Sequence, residues 1–115
     1  MNQVNYIELH TKNADQARGF YGELFGWKFK TESERPRYDS IDAAQKGGIM
    51  EEAEGNGFWL QYVDVADVDA SKKKAVKLGA KLLRDLTEVP GHGRFVVLAD
   101  PMGAAFALWQ NLEKK

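Results

Sequence analysis

The chain has 115 residues, 43% hydrophobic and 29% charged, with a formal net charge of -1 and no cysteine. That length makes a single domain, 1–115, the expectation. The near-neutral charge gives no electrostatic reason to expect nucleic acid or a membrane surface as partner, and the missing thiols exclude disulfides, thiolate nucleophiles and Cys-ligated metals. Met1–Asn5 carries neither the basic nor the apolar segment of a secretory signal, and no apolar run approaches the ~20 residues of a membrane span, so a cytoplasmic location is expected.

Residues 4–11 alternate. Ile7 and Leu9 face one way and Tyr6, Glu8 and His10 the other, which predicts a strand. Asn13 suits a helix N-cap, with Gln16 three residues on in capping-box position. Ala17, Phe20, Tyr21 and Leu24 recur at helical spacing as one apolar face, and Gly26 is a stop. Gly19 and Gly22 weaken that helix, and close approach of helix to sheet would account for them. Residues 27–29 begin a strand. The polar stretch 30–37, with Pro36, reads as a loop; 38–43 and 47–50 read as strands, and the acidic 51–57 as a link.

From residue 58 the plan repeats at an offset of about 54 residues, a period at which one unit cannot bury its own apolar face. Residues 58–65 predict a strand with Trp59, Val63 and Val65 on one face and Leu60, Tyr62 and Asp64 on the other. Asp67 caps a helix to Leu78, which Gly79 ends, and Lys72, Lys73 and Lys74 form its solvated face. Residues 81–86, 94–98 and 104–109 complete the strands, the last two joined at Asp100-Pro-Met-Gly103 by a type I turn. The expected fold class is therefore α+β, with β-α-β-β-β occurring twice, in units of about 4–50 and 58–110. No GxGxxG, Walker A or GxSxG pattern occurs.

The segments Asn13-Ala-Asp-Gln-Ala, Phe20-Tyr-Gly-Glu-Leu-Phe-Gly-Trp27 and Gly93-Arg-Phe-Val-Val-Leu-Ala-Asp-Pro-Met-Gly103, in this order and spacing, resemble the vicinal oxygen chelate superfamily of glyoxalases, bleomycin-resistance proteins and extradiol dioxygenases. The small single-domain proteins related to lactoylglutathione lyase look most similar. The resemblance implies that the paired units curl into an open half-barrel around a concave cavity, that the chain is a homodimer, and that a divalent metal often sits in the cavity on His, Glu or Gln ligands. Carried over position by position, those ligands fall on Tyr6, Leu60, Ala107 and a residue near Ile49, none of them a good donor for a divalent cation. A slip of two residues brings in Glu8 and Tyr62, with Ala105 or Trp109 on the last strand, and adds one good ligand. The expectation is therefore no metal and no other cofactor.

The residues expected to serve a ligand are those on the face away from Ile7 and Leu9. Glu8 and His10, two apart on one strand, are close enough to couple as a general acid/base pair, with Glu8 the candidate base. Tyr6 and His10, and in the second unit Tyr62, Asp64 and Trp109, are candidate binding residues, the aromatic ones as pocket walls. Small residues at Gly47, Gly48, Ala105 and Ala107 leave room beside them, and His92 lies in a turn away from these strands. The expected function is binding of a small organic molecule in the cavity without the usual metal. The alternative is a metal-dependent lyase, isomerase or dioxygenase in which Glu8 is base or ligand.

Overall fold

A computed structural model describes residues 1–112 of the chain. It has eight strands and two helices in the order β1 (Gln3–Thr11), α1 (Ala14–Phe25), β2 (Lys28–Glu34), β3 (Arg37–Asp42), β4 (Gly47–Glu51), β5 (Phe58–Asp64), α2 (Val68–Lys77), β6 (Lys81–Val89), β7 (Gly93–Ala99) and β8 (Ala105–Asn111). The class is α+β, and β-α-β-β-β occurs twice. The chain divides into two compact units, one of Tyr6–Leu60 and one that begins at Gln61 and includes Met1–Asn5.

In the first unit the strands are ordered β2-β3-β4-β1. β1 runs parallel to β4, with Glu8 opposite Gly48 and Leu9 opposite Ile49. A parallel pair needs a crossover, and α1 with the β2–β3 hairpin supplies it. Asn13 is the N-cap of α1, its side chain accepting from the Gln16 amide at 3.0 Å. The Ala14 amide donates to Glu51 Oε2 at 2.9 Å, which ties the start of α1 to the end of β4. Gly26 closes the helix in the left-handed region, at φ 73°, where a side chain would be strained.

Ala14 and Ala17 of α1 pack on Leu9, Ile41 and Ile49 of the sheet, with Tyr21, Trp27 and Phe29 against them. The helix therefore rests on small residues. Phe20 and Leu24, expected in its buried stripe, are 59% and 58% exposed. Helical spacing marks a face but cannot say how wide a stripe the sheet covers. Arg18 shares the sheet side: its Nη1 donates to Asp39 at 3.1 Å, and Asp39 is fully buried on β3. Arg37 completes this cluster, Nε to Asp39 Oδ1 at 2.9 Å and Nη2 to Asp15 of α1 at 2.8 Å.

The second unit has the order β5-β8-β7-β6, with β5 parallel to β8 and Tyr62 opposite Ala107. Asp67 caps α2 by accepting from the Ala70 amide at 3.1 Å, and Gln110 Oε1 of β8 accepts from the Val68 amide at 2.9 Å. The core under α2 is Val65, Val68, Val96, Leu98 and Leu108, with Val63 and Phe106 packed on it. Lys72 and Lys73 of the helical charge run reach Asp85 and Asp69 at 2.8 and 3.1 Å. Gly103 donates to Asp100 across the Asp-Pro-Met-Gly turn at 2.9 Å.

Two further expectations are corrected. Residues 30–37 are not a loop: β2 runs through them, paired antiparallel with β3, and only the cis Arg35–Pro36 bond and its turn lie outside the strands. Its inner face carries Phe29, Thr31 and Ser33, so the period of two is present but mostly polar. Nor does close helix–sheet approach account for the helical glycines. A Cβ at Gly19 would meet nothing within 4 Å, and one at Gly22 would make ordinary contacts at 3.5 and 3.6 Å. Gly19→Ala is therefore expected to stabilise the fold by about 1 kcal/mol, raising Tm by about 4 °C in a thermal melt. An unchanged or lower Tm would refute the packing described for α1.

Candidate functional site

The alternation of β1 sends Leu9 under α1 and Tyr6, Glu8 and His10 to the opposite face. There they meet two residues the sequence reading did not select, Tyr38 and Glu52. Tyr38 arrives because β3 and β4 pair with Tyr38 opposite Met50, beside the Gly48 that faces Glu8 across β1 and β4. The room expected at Gly48 is filled. A Cβ there would overlap the Tyr38 hydroxyl and lie 2.7 Å from that of Tyr6, so only glycine admits both phenols.

The five side chains form one hydrogen-bonded line. Tyr38 Oη donates to Glu8 Oε2 at 3.0 Å, which commits its single proton, so the Tyr6 hydroxyl donates to Tyr38. Glu8 Oε1 takes His10 Nε2 at 2.8 Å, and His10 Nδ1 meets Glu52 Oε1. With a carboxylate on each ring nitrogen, these contacts favour the imidazolium form, in which both nitrogens donate. It stacks on Phe58, centroids 4.6 Å apart and 9° from parallel. Glu8 is 8% exposed, so these bonds satisfy a charge that would otherwise be costly to bury.

The protonation states follow from the surroundings. Burial lowers the pKa of His10, but the hydrogen bonds and charges of Glu8 and Glu52 outweigh it and the net shift is upward. Burial raises the Tyr6 pKa, the Tyr38 bond offsets part of this, and the charges of Glu8 and Glu32 raise it further. Tyr38 is pushed far up by burial, then by the charges of Glu8 and Tyr6. Both phenols are therefore neutral donors at physiological pH.

Tyr6 is also where this line reaches a cavity, of about 750 Å³, with Lys28, Lys30, Ser40, Asp42 and Lys46 around it. Its volume lies within the usual range for small-molecule sites. A second cavity of about 420 Å³ lies on the α1 side of β1, walled by Leu9, Ala17, Phe20, Tyr21, Phe58 and Trp59. It touches none of the five networked residues, and Trp59 there packs edge-on against Tyr21 at 5.4 Å.

The remaining candidates belong to the second unit. Tyr62 is buried and packs edge-on against Phe95 and Trp109 at 5.8 and 6.5 Å, and Arg84 caps the Phe95 ring at 5.5 Å. Trp109 donates through Nε1 to Asn111 Oδ1 at 2.7 Å. Asp64 stands opposite Trp109 in the β5–β8 register, and its Oδ1 is buried without a hydrogen-bond partner. His92 is exposed in the β6–β7 turn.

The donor set does not fit the divalent cation the resemblance implies. Leu60 and Ala107 are buried hydrocarbon. Ile49 packs under α1, so the β4 position on the Glu8 face is Gly48, with no side chain. Tyr6 keeps its proton, both nitrogens of His10 point at carboxylates, and Glu8 is bonded through both oxygens. Among the described residues no three His, Asp or Glu side chains are placed to hold a metal ion.

A family model described as Glyoxalase/Bleomycin resistance protein/Dioxygenase superfamily matches residues 3–108. A Mycobacterium bovis protein provisionally named glyoxylase CFP32 is 30% identical over 92% of this chain and 44% of its own length. An anthracycline biosynthesis protein of Streptomyces peucetius, DnrV, is 40% identical over 46% of this chain and 19% of its own. The chain thus spans less than half the length of these relatives. Among solved structures, a hypothetical protein of Bacillus halodurans superposes with a TM-score of 0.75 at 10% identity, covering 98% of this chain and 96% of that one. A Streptomyces coelicolor methylmalonyl-CoA epimerase variant in complex with 2-nitronate-propionyl-CoA gives 0.71 at 19% identity, covering 98% and 99%. At these identities the structures establish a shared fold.

Proposed function

Because the chain belongs to the glyoxalase/bleomycin resistance protein/dioxygenase superfamily, we propose that it binds a small organic molecule on the Tyr6–Glu8 face of its first unit, without the divalent metal. The observation that carries this reading is the hydrogen-bonded line that ends at a cavity wall. Tyr6 lines about 750 Å³ of space and is held, through Tyr38, to a carboxylate that is also bonded to the His10 ring. Such an arrangement is rigid and paired before any ligand arrives, so binding requires little reorganisation of the protein.

A second reading is a lyase or isomerase with Glu8 as base. The glyoxylase and epimerase names of the similar proteins favour it. The bonds that Tyr38 and His10 make to Glu8 weigh against it, because both carboxylate oxygens are already engaged by partners within the protein. A homodimer and a cytoplasmic setting accompany both readings.

The test is elemental analysis of untagged protein, with melts in Ni²⁺, Zn²⁺, Mn²⁺ and Fe²⁺ and in a library of small organic molecules. We expect no stoichiometric metal, no cation-dependent shift, and at least one organic ligand that raises Tm. Tyr6→Phe should weaken that ligand about fivefold or more, the loss of one hydrogen bond. One equivalent of metal, or a shift of several degrees with a single cation, would overturn the metal-free reading.

A further inference from the structure

Three lysines converge on the cavity that Tyr6 lines. Lys28 and Lys30 project from the same face of β2, two residues apart, and Lys46 comes from the β3–β4 connection immediately before Gly47. Set against them in the lining is one carboxylate, Asp42, which faces Lys28 in the β2–β3 register. Among the described residues, no carboxylate oxygen lies within 4.0 Å of any of the three ammonium groups, Asp42 included. Lys72 and Lys73 on α2, by contrast, do find aspartates. The nearby Glu32 is engaged by Ser40 Oγ at 2.6 Å. The result is a concave surface, walled in part by Phe29 and Ile41, whose charged residues are three lysines and one aspartate, on a chain whose net charge is -1.

Like charges gathered on one wall repel one another, and a bound anion relieves that repulsion. Lysines also guard free sheet edges, and β2 ends the strand order of its unit. Lys28 and Lys30 can serve that end. Lys46 cannot, because it lies outside β2, yet it lines the same cavity.

We infer that the ligand of this site is an organic acid whose phosphate or carboxylate group is held by Lys28, Lys30 and Lys46, with the body of the molecule beside Tyr6. The inference rests on the binding function proposed above and adds the charge of the ligand. Lysine suits the task as a mobile point charge that accepts either oxyanion.

The test uses the whole chain and two small probes, inorganic phosphate and malonate, titrated at constant ionic strength against backbone amide NMR shifts. Saturable shifts are expected in residues 28–30 and 46–48, with dissociation constants in the millimolar range usual for so small a group. The variant Lys28→Gln/Lys30→Gln/Lys46→Gln should weaken the probe at least tenfold. The control Lys73→Gln/Lys74→Gln/Lys77→Gln, which removes the same charge from α2, should leave it unchanged. Tighter phosphate would assign a phosphorylated ligand and tighter malonate a dicarboxylic one. Shifts that do not saturate, or an equal loss in both triple variants, would overturn the inference. A neutral compound that binds wild type and the Lys28/Lys30/Lys46 variant equally, and loses affinity in Tyr6→Phe, would overturn it while leaving the proposed binding function standing. Saturable, lysine-dependent anion binding, with no library compound sensitive to Tyr6→Phe, would leave the lysine site and overturn the Tyr6-face reading.

Discussion

Asp39→Ala is expected to lower stability by about 3–5 kcal/mol, the usual cost of removing one partner from a buried ion pair. Asp39 is inaccessible to solvent and takes hydrogen bonds from Arg37 at 2.9 and 3.1 Å and from Arg18 at 3.1 Å. Arg18 belongs to α1 and Arg37 to β3, so the carboxylate pins the helix to the sheet; without it, Arg18 loses its carboxylate partner and Arg37 keeps only the exposed Asp15. Urea unfolding should show a lower midpoint at unchanged m-value. The pH dependence carries a sign. The bonds from Arg37, opposed in part by burial and reinforced by Thr31 and Arg18, hold the Asp39 pKa below its ordinary value. A depressed folded pKa means that the stabilisation is fully present above the unfolded value, near 3.9, and is lost as pH falls through the lower folded one. The variant should therefore lose less stability than wild type on acidification below about pH 4. A midpoint within experimental error of wild type would show that the cluster is not what holds α1.

Glu8→Gln is expected to lower the His10 pKa and to destabilise the fold by about 1–3 kcal/mol, the cost of leaving a buried donor unmatched. The amide has one oxygen for two incoming donors, Tyr38 and His10, so its NH₂ must face one of them. His10 would keep Glu52 alone, and burial, which already opposes its charge, would weigh more. The folded pKa of His10 is raised in the wild type. Its contribution is thus fully present below about pH 6.5 and is lost as pH rises through the folded value. In the variant that alkaline loss should shrink, which a series of melts from pH 5 to 9 would record, with the His10 ring followed by NMR. A His10 titration identical in the two proteins would mean that Glu8 does not hold the imidazolium.

The legible parts of this fold were those written in adjacent residues. Alternation along β1 separated Leu9 from Glu8 and His10, and Asn13 and Asp67 announced both helices because capping is an interaction over three residues. What the sequence did not disclose depends on register between distant strands. Tyr38 joins Glu8 only because β3, β4 and β1 pair with Tyr38 opposite Met50 and Glu8 opposite Gly48. Glu52, placed by sequence in a link, reaches His10 because the parallel β1–β4 ladder runs on to Thr11 and Glu51. β2 was hidden for a different reason: its inner face is partly Thr and Ser, so its alternation is one of burial more than of polarity. The exposure of Phe20 and Leu24 depends on how far the sheet extends beneath α1, which no local pattern records.

Each helix begins by lodging its first amide on the last strand of its own unit, Ala14 on Glu51 and Val68 on Gln110, partners 37 and 42 residues further along the chain. On the ribosome, this makes the helices wait. At elongation rates of about 5–20 residues per second, the anchoring carboxylate or carboxamide is synthesised roughly 2–8 s after the helix it secures. During that interval α1 has its Asn13 cap and α2 its Asp67 cap, but neither has the strand that receives it. The local caps are thus the contacts each helix start can make during that interval, and the distant pair can close each unit only when its final strand emerges.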